Sequence, residues 1–309
     1  MSHITYVQIH QHLPLGVKRI IAHSGSCWIG QVDEITALKY PHTSEEMKRV
    51  RIEAKFLSVL GSHPRVVQSK GLTKDGLLLE FALNGNLNDY LITHPEVSLE
   101  RRLAWCIQAT EAVAYIHSKR VLHCDIRHDN LLPDADLDLK LAEFQGQHFS
   151  VDGEILLDAL SLESTKAYLA RKPADHASVR TDLFALGCAI YFIMMGHEVF
   201  PDLEKSKDED EIGRRFREGD FPTDLHVCTA ITAKCWKQLY LSARQVLTDL
   251  EAVREAITRG ETPDSVACRV VPVPNRDASP LATWWLSGLC NDRQRPKAPP
   301  PYRQPVGFD

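Results

Sequence analysis

The chain reads as an α+β protein on three observations. Leu137-Asp138-Leu139-Lys140-Leu141-Ala142 alternates apolar and polar residues as a strand does. A run from Ser44 to Leu60, a second ending at Tyr115-Ile116-His117 and a third from Ser242 to Thr258 follow the helix period instead. With 309 residues, 44% of them hydrophobic and 25% charged, the chain can fill two cores. The formal net charge of -5 gives no support to a nucleic-acid or anionic-membrane partner. No apolar run has the length of a membrane span, and the amino terminus lacks the basic-then-apolar pattern of a signal peptide. Eight Cys, at 27, 106, 124, 188, 228, 235, 268 and 290, show neither metal-ligand spacing nor a disulfide framework. Reduced thiols are therefore expected, in the cytoplasm or the nucleus.

The elements follow in chain order. Gly25-Ser26-Cys27-Trp28-Ile29-Gly30-Gln31-Val32 carries two glycines where a hairpin would let backbone N–H groups approach a phosphate. Alone, two glycines mean only a turn. Ala37-Leu38-Lys39 follows as a strand, and the helix from Ser44 to Leu60 brings Glu53. An ammonium in a partly dry cleft is costly, and a carboxylate on a packed helix is the partner it needs. His63-Pro64 marks a turn, and Leu77-Leu78-Leu79-Glu80-Phe81-Ala82 an apolar strand leading to Asn84-Gly85-Asn86-Leu87. The polar loop His123-Cys124-Asp125-Ile126-Arg127-His128-Asp129-Asn130 lies between a helix and the apolar Leu131-Leu132. The strand at 137–142 runs into Glu143-Phe144-Gln145-Gly146, and Asp182-Leu183-Phe184-Ala185-Leu186-Gly187 opens a further apolar helix. Composition breaks at Arg259-Gly260, since nine of the 17 Pro lie from Glu261 onward, and a mostly extended tail is expected there.

In this order and spacing the segments resemble the eukaryotic-type protein kinases. The resemblance implies a two-lobed fold, with a small β-rich N-lobe at 15–82 and a larger helical C-lobe at 83–260. A segment 1–14 precedes them and a Pro-rich tail 261–309 follows. The loop at 123–130 is similar to the catalytic loop HRDxxxxN, in which Asp125 would take the acceptor hydroxyl's proton and Asn130 would hold a metal ion. Glu143 stands at the DFG acid and would be the other metal ligand. Lys39, fixed by Glu53, would hold the nucleotide's α/β-phosphates, and Arg127 would steady the γ-phosphate. Gly25, Gly30, Val32, Ala37 and Leu132 are implied as nucleotide-binding, with Leu79 as gatekeeper and the backbone of Glu80 and Ala82 on the adenine edge. Leu57, His123 and Phe144 look like the hydrophobic spine joining the lobes. Asp182 would brace the catalytic loop's backbone. The implied cofactors are ATP with Mg²⁺ or Mn²⁺.

Several residues depart from the family pattern. Cys27 replaces the middle glycine, and its Cβ narrows the approach to phosphates. Glu143 keeps the metal-binding charge on a longer arm, where octahedral geometry is demanding. Gln145 replaces a glycine and restricts the backbone. Cys124 replaces an Arg that usually pairs with a phosphate on the following segment, which reduces the need for phosphorylation there. The hydroxyls Ser161, Ser164, Thr165 and Tyr168 in that segment are not taken as regulatory sites. Ala170-Arg171-Lys172 stands where A-P-E is expected, so the acid that normally pairs with a large-lobe Arg is missing.

The function implied is transfer of the ATP γ-phosphoryl group to a protein Ser/Thr hydroxyl at reduced activity. Arg127 and Cys235-Trp236 leave a Tyr acceptor open. The alternative is a nucleotide-binding pseudokinase acting as a scaffold or regulatory module. A small-molecule phosphotransferase is disfavoured by the Asp182 to Gly187 signature. Pro299-Pro300-Pro301-Tyr302 fits PPxY, a WW-domain ligand, with a plain linker as the other reading. Trp284-Trp285 would dock the tail or face a partner, Glu204 to Arg217 is read as a solvated loop and helix face, and His3, His10 and His12 as a terminus and not a metal site.

Overall fold

The computed structural model describes residues 13–161, 163–172 and 175–267. Its first layer is an antiparallel sheet of β1 (Arg19–His23), β2 (Cys27–Gln31), β3 (Thr36–Pro41), β4 (Ser69–Leu72) and β5 (Leu77–Glu80), in the order β1-β2-β3-β5-β4. Helix α1 (Met47–Leu60) packs on this sheet through Val50, Glu53, Phe56, Leu57 and Leu60, the stripe of a 3.6-residue period. It stops at Gly61, whose φ of 68° suits a residue without Cβ.

The second layer is helical. Helix α2 (Leu87–Thr93) starts where the Asn86 side chain accepts the Asp89 N–H, and α3 (Leu99–Ser118) where Ser98 accepts from Arg101. Between α3 and the next long helix lie short strands: β6 (Val121–Leu122), β7 (Leu131–Pro133), β8 (Leu139–Leu141), β9 (Gln147–Phe149) and β10 (Ile155–Asp158). β7 pairs with β8, and β10-β9-β6 form a three-stranded sheet. Helix α4 (Val179–Met195) is buried along nearly its whole length, as a helix apolar all round must be. The chain continues through α5 (Glu209–Glu218), α6 (Thr229–Trp236), α7 (Ala243–Thr258) and α8 (Pro263–Ala267), with α3 packed against both α4 and α7. This is the two-lobed α+β arrangement that the resemblance implies, and no helix among the described residues is long and apolar enough to cross a membrane.

The charged run from Glu204 to Arg217 forms the solvated loop and helix face expected of it, with α5 turning only Ile212 and Phe216 into the core. One expectation needs correction. The extended tail does not begin at Glu261. The Thr262 hydroxyl oxygen accepts the Ser265 N–H, Pro263 fills the first helical position, and α8 buries Val266. The PPxY motif, Trp284-Trp285 and the three early His lie outside the described residues.

Strand register positions the site. β2 pairs Ile29 with Lys39 and Gln31 with Ala37, while β3 pairs Ala37 with Leu79. Directly opposed residues share a face, so Ile29, Lys39, Ala37 and Leu79 look toward the catalytic loop and Gly30, Leu38 and Tyr40 look away.

Candidate active site

Between that sheet face and the loop at 123–130 lies a cleft of about 1060 Å³. Gly25, Ala37, Glu53, Leu79, Glu80, Ala82, Asp125, Arg127, Asn130, Leu132 and Glu143 all line it. Gly30, Val32 and Lys39 do not, contrary to the sequence reading, and Lys39 lies buried behind Glu53 and Glu143. The β1–β2 turn is only Ser24-Gly25-Ser26, because β1 runs to His23 and β2 begins at Cys27. Gly30 therefore falls inside β2 on the outer face, and Val32 in the next turn, its N–H bonded to Thr36 O. Cys27 is likewise the first residue of β2, buried, and does not narrow the cleft. Ile29 occupies the wall instead, a position that counting in twos from Lys39 across the hairpin could have found. A Cβ at Gly30 would meet Val17 Cγ1 at 2.5 Å and Tyr40 at 3.3 Å. Gly30→Ala is accordingly expected to cost about 1–3 kcal/mol by overpacking, read by urea unfolding, with nucleotide affinity unchanged.

Lys39 is 1% exposed and is held by two carboxylates, Glu53 Oε2 at 2.5 Å and Glu143 Oε1 at 2.7 Å. Burial alone would favour the neutral amine, but the two carboxylates raise the ammonium's pKa above its ordinary value. The cation is shared unequally. Burial and the nearby Glu143 charge push Glu53 up to about 7 despite Lys39. Glu143, only half-buried, is held below its ordinary value by the Lys39 charge and hydrogen bond, against the desolvation that would raise it. Native Glu53 thus keeps its proton to about pH 7, whereas the unfolded group releases it near the ordinary glutamate value of 4.5. The stability this confers is complete below the lower value and is lost as pH rises through the upper one. Glu53→Gln should flatten the fall in unfolding free energy between pH 6 and pH 8.

The catalytic loop is braced from below. Asp182 Oδ2 and Oδ1 accept the N–H groups of His123 and Cys124, both at 2.9 Å, and His117 Nε2 lies 2.9 Å from Oδ2. Burial works against this carboxylate, yet His117 and the backbone donors hold it below the usual range. The brace fixes Cys124 at a φ of 64°, a left-handed backbone that costs a residue with Cβ about 1–3 kcal/mol. His123 accepts the Asp125 N–H at Nδ1 (3.3 Å), so Nε2 carries the proton it donates to Ala142 O (2.9 Å). Its ring meets Phe144 edge-on at 5.1 Å, and Leu57, His123 and Phe144 are all buried. Gly146 has no room for a side chain, since a Cβ would lie 2.0 Å from Leu122 O.

Asn130 donates through Nδ2 to Asp125 O (2.8 Å) and Oδ2 (3.1 Å), which fixes the carboxylate. Arg127 Nε lies 3.3 Å from Asp125 Oδ2, and its Nη1 3.3 Å from Asp129 Oδ2. Burial dominates Asp125 and raises its pKa, with Arg127, His123 and Asn130 pulling the other way. A proton acceptor of raised basicity facing a cleft suits general-base work. At the far end, the Glu80 side chain is tied to Lys140 (3.0 Å) and to the Gln68 N–H (2.7 Å).

For a hard cation the donors are the Glu143 carboxylate and the Asn130 amide oxygen, both at the cleft beside Asp125. Their oxygen chemistry fits Mg²⁺ or Mn²⁺. Both carboxylate oxygens of Glu143 have protein partners, Lys39 on Oε1 and Gln145 Nε2 at 3.1 Å on Oε2, so a metal has to compete for them.

The Protein kinase domain family model matches residues 27–257, well over half of the chain, and the chain belongs to the protein kinase family. Similar curated proteins include Serine/threonine-protein kinase SIK1 of Rattus norvegicus, 29% identical over 159 residues, covering 50% of this chain and 20% of the relative. Serine/threonine-protein kinase SIK2 of Gallus gallus is 30% identical over 156 residues, covering 48% and 19%. Maternal embryonic leucine zipper kinase of Xenopus laevis is 25% identical over 206 residues, covering 64% and 31%. The chain thus spans less than a third of the length of each of these relatives.

Proposed function

We propose that this chain transfers the γ-phosphoryl group of ATP to a Ser or Thr hydroxyl of a protein, at a rate limited by Glu143. One observation carries the reading: Glu53, Glu143, Asp125 and Asn130 line the same cleft, with Lys39 buried directly behind the two glutamates at ion-pair distance from both and Asn130 hydrogen-bonded to Asp125. Lys39, held by Glu53 and Glu143, presents a fixed positive charge to the nucleotide phosphates. Asp125, oriented by Asn130, takes the proton of the acceptor hydroxyl. Arg127 offsets the charge that develops on the transferring group. The catalysis is positioning plus electrostatics. A divalent cation held by Glu143 and Asn130 would neutralise phosphate charge. The Ser/Thr acceptor follows the names of the relatives.

A nucleotide-binding scaffold with little transfer is the second reading, favoured by the capture of both Glu143 oxygens by Lys39 and Gln145. Turnover with Mg²⁺ and with Mn²⁺ on the wild type and Glu143→Asp separates the two. The shorter acid releases one methylene of reach, and turnover should rise about tenfold, the factor for 1.4 kcal/mol in the barrier. No turnover in either protein, with nucleotide bound, leaves the scaffold.

A further inference from the structure

The stretch from Gly146 to Lys172 joins the Glu143 site to the chain that enters α4. Its first half is tied by backbone. β9 pairs with β6 and β10, the Ala159 N–H reaches Gly146 O at 3.1 Å, and Gln147 Nε2 reaches Asp158 Oδ2 at 2.9 Å. The second half has no strand pairing among the described residues. There a bidentate ion pair crosses the segment: Arg171 Nη1 to Glu163 Oε2 at 2.6 Å and Nη2 to Glu163 Oε1 at 3.1 Å. The side chains of Glu163 and Arg171 are 10% and 19% exposed. The guanidinium also donates to Leu169 O and Asp175 O, both at 3.2 Å, and lies 4.8 Å from the centre of the Tyr168 ring.

The segment packs beside the loop at 123–130, where Ser164, Lys166 and Ala167 line one small cavity with Ile126, Arg127 and His128. The charges of both Glu163 and Arg171 act on the Cys124 thiol, and those of Asp125 and Asp182 act on the Glu163 carboxylate. Cys124 has no charge with which to hold the segment. Arg171 brings a guanidinium to the same neighbourhood from the far end of the segment, and Glu163 supplies a permanent anion that needs no kinase to install it.

We propose that the Glu163–Arg171 pair is a built-in clamp that closes residues 163–171 into one conformation beside the catalytic loop without phosphorylation. Both are positioning residues for the Asp125 site, and that catalytic consequence rests on the kinase reading above. The clamp itself does not. An ion pair this little exposed leaves an uncompensated charge when one partner is removed, so truncating either side should release the segment.

The test uses full-length protein treated with phosphatase and shown by mass to carry no phosphate. Hydrogen exchange of 159–171 is compared among the wild type, Glu163→Gln, Arg171→Met and the reversed pair Glu163→Arg/Arg171→Glu. Each single variant is expected to lose protection by about tenfold, as for loss of a charge-assisted bond, and the reversed pair to recover it. On a peptide substrate, kcat should fall in the single variants with the KM for ATP unchanged, and return in the reversed pair. Unchanged exchange in the single variants overturns the clamp. So does wild-type protection that disappears on phosphatase treatment, which would assign the role to a phosphate on Ser161, Ser164, Thr165 or Tyr168. If the wild type turns over no ATP, the kinase reading fails while the exchange data still decide the clamp.

Discussion

Asp125→Asn is expected to lower phosphoryl transfer by about 10²–10⁴-fold, the range for a lost general base, while nucleotide affinity and the unfolding midpoint stay near wild-type values. The asparagine amide is nearly isosteric and keeps an oxygen to accept from Asn130 Nδ2, now 3.1 Å from Asp125 Oδ2. What disappears is a half-buried carboxylate able to receive a proton. Burial raises the pKa of that carboxylate, against Arg127, His123 and Asn130. Wild-type turnover should therefore fall with acid at a pH above the ordinary aspartate range, because a protonated Asp125 cannot accept a proton. Steady-state peptide phosphorylation against pH, with calorimetric nucleotide binding, measures both parts. A variant turning over at the wild-type rate would remove Asp125 from the mechanism.

Much of this site was legible because its parts are local in sequence. The loop His123 to Asn130 carries base, amide and cation within eight residues, and Lys39 with Glu53 needs only a strand followed by an amphipathic helix. Asp182 was legible only through the resemblance of the segment from Asp182 to Gly187 to the family's signature at the head of that helix. The positions of Gly30 and Val32 were not, because the length of a hairpin turn cannot be read from the glycines alone. A three-residue turn moved Gly30 to the outer face and gave the wall to Ile29. The segment at 170–172 shows the limit most plainly. The sequence displays a missing acid there, whereas the structure shows a gained base, Arg171, whose partner Glu163 lies across a fold in the segment that no periodicity announces. Nor does the sequence show that Glu143 reaches Lys39. That contact depends on the left-handed backbone at Glu143, with a φ of 64°.

Replacing the shared cation tests that contact hardest. Lys39→Met is expected to destabilise the protein by about 3–5 kcal/mol, the cost of removing one side of a buried ion pair, as well as to abolish nucleotide binding. Two carboxylates lose their partner, and Glu53, 1% exposed, has no water to replace it. The cluster has one escape, which is to take up a proton. Glu53 titrates at about 7 even with Lys39 present, under burial and the Glu143 charge. Without the lysine it should hold its proton to higher pH, so the loss of stability in Lys39→Met should be larger at pH 8 than at pH 6. Adding Glu53→Gln replaces the titrating acid by a neutral amide of similar size, and the double variant should recover much of the stability without recovering nucleotide binding. Urea unfolding of the wild type and the two variants at both pH values supplies the comparison. A double variant no more stable than Lys39→Met would mean that the lysine's packing, and not its charge, holds α1 to β3.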